Sequence, residues 1–311
     1  MRMITLPSVY CPFPRRSNPH DAHAWTLTVD WVSRVGLVPR EALLHLRGLD
    51  YHRLSAYAFP DAGLAQLALV NDWMTLFYLF DKQWDDARPD ALSAEQAALM
   101  GALRGGPLAA TGGSPLQTAL LDARRRMLEL GSDAWMERFC ATVGQYFDAC
   151  LWEAKNKASG TSPDVDAYVR MREKTGGVRP SFELAGAIGL VELPPAMMEE
   201  PFLERLSTMA NHVICWFNDI VSLNKERQVG DVHNLVLILQ RERGYSLDAA
   251  VERIVGMHDA EVRAFVELSS RPPSWGEPLD SEVERYVDVL RCWMRANVDW
   301  SLDSERYRIS P

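Results

Sequence analysis

The stretch AGLAQLALVNDWMTLFYLF at Ala62–Phe80 is apolar around most of a helical circumference. A helix at a protein surface keeps one polar face, whereas one that is apolar on every side is buried among other helices. An acidic run follows at once, Asp81-Lys82-Gln83-Trp84-Asp85-Asp86. Asp81 and Asp85 stand at i and i+4, so their carboxylates share a helix face. Two carboxylates at the end of an apolar helix can hold a hard cation such as Mg²⁺ through oxygen. The same pair can equally be a solvated acidic helix end.

On either side of this stretch the helical period continues. Leu116–Leu130, Trp135–Lys155, Val165–Lys174, Phe202–Glu226, Val232–Glu242, Leu247–Glu267 and Ser281–Trp300 all read as helices separated by glycine, proline or polar turns. Arg104–Ser114 (RGGPLAATGGS) and Ser270–Pro278 (SRPPSWGEP) read as loops, with helices of the same character on both sides. Alternating strand-like runs are absent from this reading. The expected fold is therefore all-α: residues 1–311 as one large helical bundle around a central apolar cavity. Residues 1–20, rich in proline, are expected to run extended over the surface or across a pocket. Gly176-Gly177, with Pro180 beyond, should break a helix just after Arg172 and expose inward-pointing carbonyls.

Composition narrows the function. Hydrophobic residues make up 47% and charged residues 24%, as in an ordinary globule. A net charge of −9 lacks the basic stripe that a nucleic-acid partner requires. It still permits an anionic small ligand, because metal ions can bridge acidic protein to acidic substrate. Cys11, Cys140, Cys150, Cys215 and Cys292 are scattered without a CxxC pair, which reads as reduced thiols in a cytoplasmic protein. No apolar window is long enough for a membrane span, and the first residues lack the apolar core of a signal peptide. A homodimer is left open.

The second polar constellation is Asn218-Asp219-Ile220-Val221-Ser222-Leu223-Asn224-Lys225-Glu226. At 100° per residue Asn218, Ser222 and Glu226 fall within about 80° of one another. An amide, a hydroxyl and a carboxylate in one row make a mixed oxygen site for Mg²⁺, with Lys225 nearby for an anion that the metal bridges. The apolar run Val213–Phe217 just before it makes this row a polar lip on an apolar pocket, or else a helix emerging into solvent.

This pattern, N-D-x-x-S-x-x-K-E with Gly230-Asp231-Val232-His233-Asn234-Leu235-Val236 close behind, resembles the second metal motif of bacterial class I terpene synthases. Tyr10-Cys11-Pro12-Phe13-Pro14, with Pro19, is similar to that family's N-terminal segment. Asp81 matches the first aspartate of its aspartate-rich motif, Arg172 its diphosphate-sensing arginine, and Arg306-Tyr307 its C-terminal pair. The resemblance implies metal ligation by Asp81, Asp85, Asn218, Ser222 and Glu226, with three Mg²⁺ ions. It implies a catalytic set of Arg172, Thr175, Gly176, Lys225, Arg306 and Tyr307, and a pocket wall of Phe77, Tyr78, Trp293 and Trp300. Aromatic faces suit a carbocation, attracting it by about 1–2 kcal/mol each when desolvated; aromatic stripes are also ordinary core.

The implied reaction is Mg²⁺-dependent cyclisation of a linear prenyl diphosphate, farnesyl diphosphate first, to a terpene hydrocarbon or alcohol. Three other readings stand beside it: a cyclase using geranylgeranyl diphosphate, a prenyl diphosphate synthase, and a non-catalytic isoprenoid-binding helical protein. The chain departs from the family at Lys82, where a second aspartate is usual. In the family that aspartate pairs with the sensor arginine, so a lysine there is expected to repel Arg172 or to contact diphosphate itself.

Overall fold

The computed structural model describes residues 6–39, 42–84, 87–108 and 113–307. Among these, thirteen α-helices and no strands are found. They are α1 (Asp21–Val35), α2 (Ala42–Gly48), α3 (Tyr51–Ala58), α4 (Leu64–Trp84), α5 (Pro89–Leu103), α6 (Pro115–Leu130) and α7 (Asp133–Ser159), followed by α8 (Val165–Thr175), α9 (Val178–Ala187), α10 (Pro201–Val229), α11 (Leu235–Arg243), α12 (Leu247–Ser269) and α13 (Leu279–Asp303). A 3-10 turn, Glu305–Tyr307, ends the described chain. No described helix is long and apolar enough to cross a membrane.

The apolar stretch from Leu64 to Phe80 lies in α4, buried on all sides through Leu67, Val70, Trp73, Leu76 and Phe80. Its last turn carries Asp81. The helix rests on α1 and α3, while α10 packs on α12 and α13, α13 on α3, and α7 on α9. The polar side chains Asn71, Asp72 and Thr75 of α4 are buried among them, and Asp72 receives a 2.7 Å bond from Arg126 of α6. A buried carboxylate needs such a partner.

Local chemistry sets the ends of the helices. Ser114 and Gln117 form a reciprocal capping box at the start of α6. The helix expected over Val232–Glu242 begins only at Leu235. Asn234 stops it from starting earlier: its carboxamide oxygen accepts the Val236 N–H at 2.8 Å, the geometry of an N-cap. Asp231 Oδ1 accepts the His233 N–H at 2.9 Å and keeps the preceding residues in a turn.

The helix break expected after Arg172 falls at Gly176-Gly177, between α8 and α9. Gly177 has φ +64°, and a Cβ there would lie 2.0 Å from Phe77 Cζ. A side chain would thus meet both a left-handed backbone, costing about 1–2 kcal/mol, and an overpacked wall, costing about 1–3 kcal/mol. Gly177→Ala is expected to lower stability by about 2–5 kcal/mol in urea titration.

Residues 6–18 run without regular structure along the bundle. Arg15 reaches Asp303 at 2.7 Å, and Arg16 reaches Asp288 at 2.9 Å and Asp61 at 2.6 Å. Leu6, Val9 and Cys11 pack with Tyr307 against Phe217, Val221 and Val298. The segment therefore supports the C-terminal turn from behind.

Candidate active site

A cavity of about 150 Å³ lies between α3, α4, α7, α8, α9, α10, α13 and the C-terminal turn. A third of the residues in its wall are aromatic. Phe77 and Tyr78 enter from α4, and Trp293 and Trp300 from α13. All four positions that the sequence assigned to a pocket line this one cavity. Tyr51 and Tyr146 line it too, and nothing in their sequence surroundings singled them out. Phe77 stacks on Tyr146 with centroids 4.4 Å apart, and Tyr51 lies 5.0 Å from Trp300 and 5.6 Å from Tyr78. Phe59 and Phe182 meet Trp293 edge-on at 5.7 and 6.4 Å. These second-layer rings fix the faces that the cavity sees.

A continuous polar line runs through the rest of the wall. Asp81 Oδ2 accepts from Arg306 Nη2 at 3.3 Å. Arg306 also donates to the Tyr51 hydroxyl, and its guanidinium sits over the rings of Tyr51 and Tyr307. Tyr307 Oη accepts from Asn218 Nδ2 at 2.8 Å. Asn218 Oδ1 in turn accepts from Arg172 Nη2 at 2.7 Å. The two polar constellations thus belong to one site, joined by the consecutive residues Arg306 and Tyr307. Burial works against the charge on Arg306; Tyr51, Tyr307 and Asp81 more than offset it and hold the guanidinium well above its usual range.

Arg172 is anchored by a residue to which no role had been given. Its Nε donates to Asp219 Oδ1 at 2.9 Å. Asp219 Oδ2 accepts from the Tyr168 hydroxyl at 2.9 Å and the Leu235 N–H at 3.1 Å. Burial pushes the Asp219 carboxyl up; Arg172 and the other donors pull it back, and three converging donors hold the anion. The Arg172 turn is clamped from α10 as well. Asn211 Nδ2 donates to the Glu173 carbonyl at 2.7 Å. His212 lies between Glu173, at 2.8 Å, and Glu261, at 3.2 Å. Burial alone would lower the His212 pKa, but these carboxylates bring it to about 9.

The expected conflict at Lys82 does not arise in this arrangement. Lys82 is solvent-exposed on the last turn of α4 and does not line the cavity. Arg172 takes its counter-charge from Asp219, so it has no need of an acid at 82. Asp85 lies outside the described residues. Lys225 is exposed and outside the cavity wall, because it sits on the solvent side of the row that it adjoins. Thr175 and Gly176 do line the cavity. Gly176 fits tightly: a Cβ there would meet Cys215 Sγ at 2.4 Å.

The row along α10 has suitable donors for a hard cation. Asn218, Ser222 and Glu226 follow on successive turns, and Ser222 Oγ donates to the Asn218 carbonyl at 2.7 Å. Glu226 accepts from Asn234 Nδ2 at 2.7 Å, and the same amide donates to the Asp219 carbonyl at 2.6 Å. Burial and the neighbouring Asp219 charge push the Glu226 carboxyl up to about 7. A cation beside it would relieve both effects. Among the described residues no three His, Cys, Asp or Glu side chains converge; the row offers an amide, a hydroxyl and a carboxylate instead. Its oxygens are the ligands Mg²⁺ accepts.

Comparison with known proteins identifies the family. Residues 72–264 match the family described as terpene synthase family 2, C-terminal metal binding. Germacrene A synthase of Nostoc punctiforme is 30% identical over 312 residues, covering 99% of this chain and 96% of its own. The (+)-T-muurolol synthase of Roseiflexus castenholzii, described as (2E,6E)-farnesyl diphosphate cyclizing, is 33% identical over 303 residues, covering 95% and 92%. The crystal structure of α-eudesmol synthase superposes with a TM-score of 0.86 at 26% identity, covering 96% of this chain and 99% of that one.

Proposed function

The chain belongs to the terpene synthase family, and from that premise we propose that it ionises farnesyl diphosphate with three Mg²⁺ ions and cyclises the resulting cation. The observation that carries this reading is the unbroken polar line Asp81–Arg306–Tyr307–Asn218–Arg172 along one side of an aromatic cavity. The relative that cyclises farnesyl diphosphate supports the chain length. Five free cysteines fit a reducing cytoplasm, where we assign the enzyme. We treat residues 1–311 as one catalytic unit.

Asp81, Asp85, Asn218, Ser222 and Glu226 would hold the metal. When bound, Mg²⁺ supplies Lewis-acid stabilisation of the charge that builds on the departing diphosphate. Arg172, Arg306 and Tyr307 are the protein's own donors to that anion. Asn218 and Asp219 hold Arg172 in advance, so an incoming diphosphate has to compete for its donors. Asp81 does the same for Arg306. Phe77, Tyr78, Trp293 and Trp300 then face the cation with π surfaces and keep bulk water out.

The test is incubation with farnesyl diphosphate and Mg²⁺, followed by gas chromatography of an organic extract. Cyclic C15 products support the reading. Longer diphosphates, or no turnover on C10, C15 and C20 substrates, would refute it.

Glu226 also gives the metal dependence a pH signature. Its carboxyl is pushed up to about 7, so a proton competes with the cation below that pH. Apparent Mg²⁺ affinity is expected to rise by up to about tenfold per unit between pH 6 and 7 and to level off above. Glu226→Gln should abolish this slope when Mg²⁺ titrations are repeated across the range.

A further inference from the structure

Two cavity-lining side chains of α13 carry a buried polar atom with no hydrogen-bond partner among the described residues. Trp293, Asn297 and Trp300 all line the cavity, and Trp293 and Asn297 are one turn apart on the same side. Asn297 is 93% buried by its 7% exposure, yet its Oδ1 has no hydrogen-bond partner among the described residues. The indole Nε1–H of Trp293 has none either, although the ring is 4% exposed. Trp300, on the same face, differs: its Nε1 donates to the Leu49 carbonyl at 2.9 Å. Buried polar groups in folded proteins are almost always satisfied by protein or by a bound molecule. Here an acceptor and a donor, one helical turn apart and unused, line the same cavity as the aromatic side chains.

We propose that Asn297 and Trp293 form a water-binding site within the cavity and that this enzyme ends its reaction by hydration, releasing a terpene alcohol. This inference rests on the cyclase reading. A small molecule that accepts one hydrogen bond and donates another fits the pair, and water is the one present in every turnover. It accepts from Trp293 Nε1–H and donates to Asn297 Oδ1, which leaves a lone pair free to face the cation. The sequence of bonds balances. The C–O bond to diphosphate breaks, and diphosphate leaves with the electron pair. The carbon chain closes and moves the positive charge. The water oxygen donates a lone pair to form the new C–O bond, and the resulting oxonium gives its proton to the departed diphosphate. The net reaction is prenyl diphosphate plus water to terpene alcohol plus diphosphate, with no oxidant or reductant.

The experiment uses the full chain with Mg²⁺ and farnesyl diphosphate in ¹⁸O-labelled water, with products separated by gas chromatography and mass spectrometry. The expected result is a major alcohol that carries one ¹⁸O. Asn297→Leu and Trp293→Phe should each lower the alcohol-to-hydrocarbon ratio at least tenfold. The ratio is read within one reaction, so a slower variant still reports it. If Asn297→Leu does not fold, Asn297→Ser is the substitute, with an intermediate ratio expected. A wild-type product that is hydrocarbon alone overturns the proposal. So does a labelled alcohol whose ratio ignores both substitutions, since the water would then come from elsewhere. Absence of any product overturns the cyclase reading itself, and the inference with it.

Discussion

Asn218→Leu and Glu226→Ala are each expected to reduce turnover by about 10³-fold or more while leaving the helical fold in place. Both side chains sit in the oxygen row of α10, and neither is core. Asn218 is half-buried and makes its contacts with Arg172 and Tyr307, two members of the site. Leucine at 218 therefore removes a metal donor and releases both partners at once. Glu226 is the only carboxylate of the row, so its removal leaves an amide and a hydroxyl to hold a divalent cation. Neither change opens an apolar cavity, and Asn234 keeps its bond to the Asp219 carbonyl when Glu226 is lost. Diphosphate release measures turnover, and far-ultraviolet circular dichroism measures the fold. A variant that retains more than a tenth of wild-type turnover would remove its residue from the assigned set. A variant that unfolds would show that the row is structural.

Asp219→Ala is expected to act the other way round, on stability first. Asp219 is fully buried and takes hydrogen bonds from Arg172, Tyr168 and the Leu235 backbone. Alanine would leave Arg172, itself largely buried, without its counter-charge. Breaking a buried pair from one side costs about 3–5 kcal/mol, which for a chain of this size lowers Tm by about 5–8 °C. Scanning calorimetry checks this. Double replacement, Asp219→Leu with Arg172→Leu, should recover part of the stability, because no uncompensated charge then remains buried, but should not recover turnover. If the single variant melted with wild-type, Arg172 would have another anchor and the arrangement described above would be wrong.

How legible the protein was differs from element to element. The helix over Ala62–Phe80 is evident because it is apolar on all sides, and the break at Gly176-Gly177 because glycine has no Cβ. The row Asn218, Ser222, Glu226 is evident because helical geometry alone puts every fourth residue on one face. Short helices such as α2 and α9 were not delimited, since too few turns repeat for a period to show. The start of α11 was set three residues early, because a one-residue cap at Asn234 outweighs the apolar pattern around it. Family membership was readable from these local patterns, which sit within single helices.

Sequence by itself determined the helical class, the two oxygen rows and the identity of the aromatic residues near them. Only the tertiary structure decided what each of them touches. It joined Asp81 to Asn218 through Arg306 and Tyr307, gave Arg172 to Asp219, left Lys82 and Lys225 in solvent, and set Asn297 beside Trp293 in the cavity. The physical reason is range. Helical periodicity and capping act over three or four residues and can be read along the chain. Burial, ion pairing and cavity lining depend on groups brought together from elements more than two hundred residues apart, as with Arg306 and Asp81, and packing alone determines which of them meet.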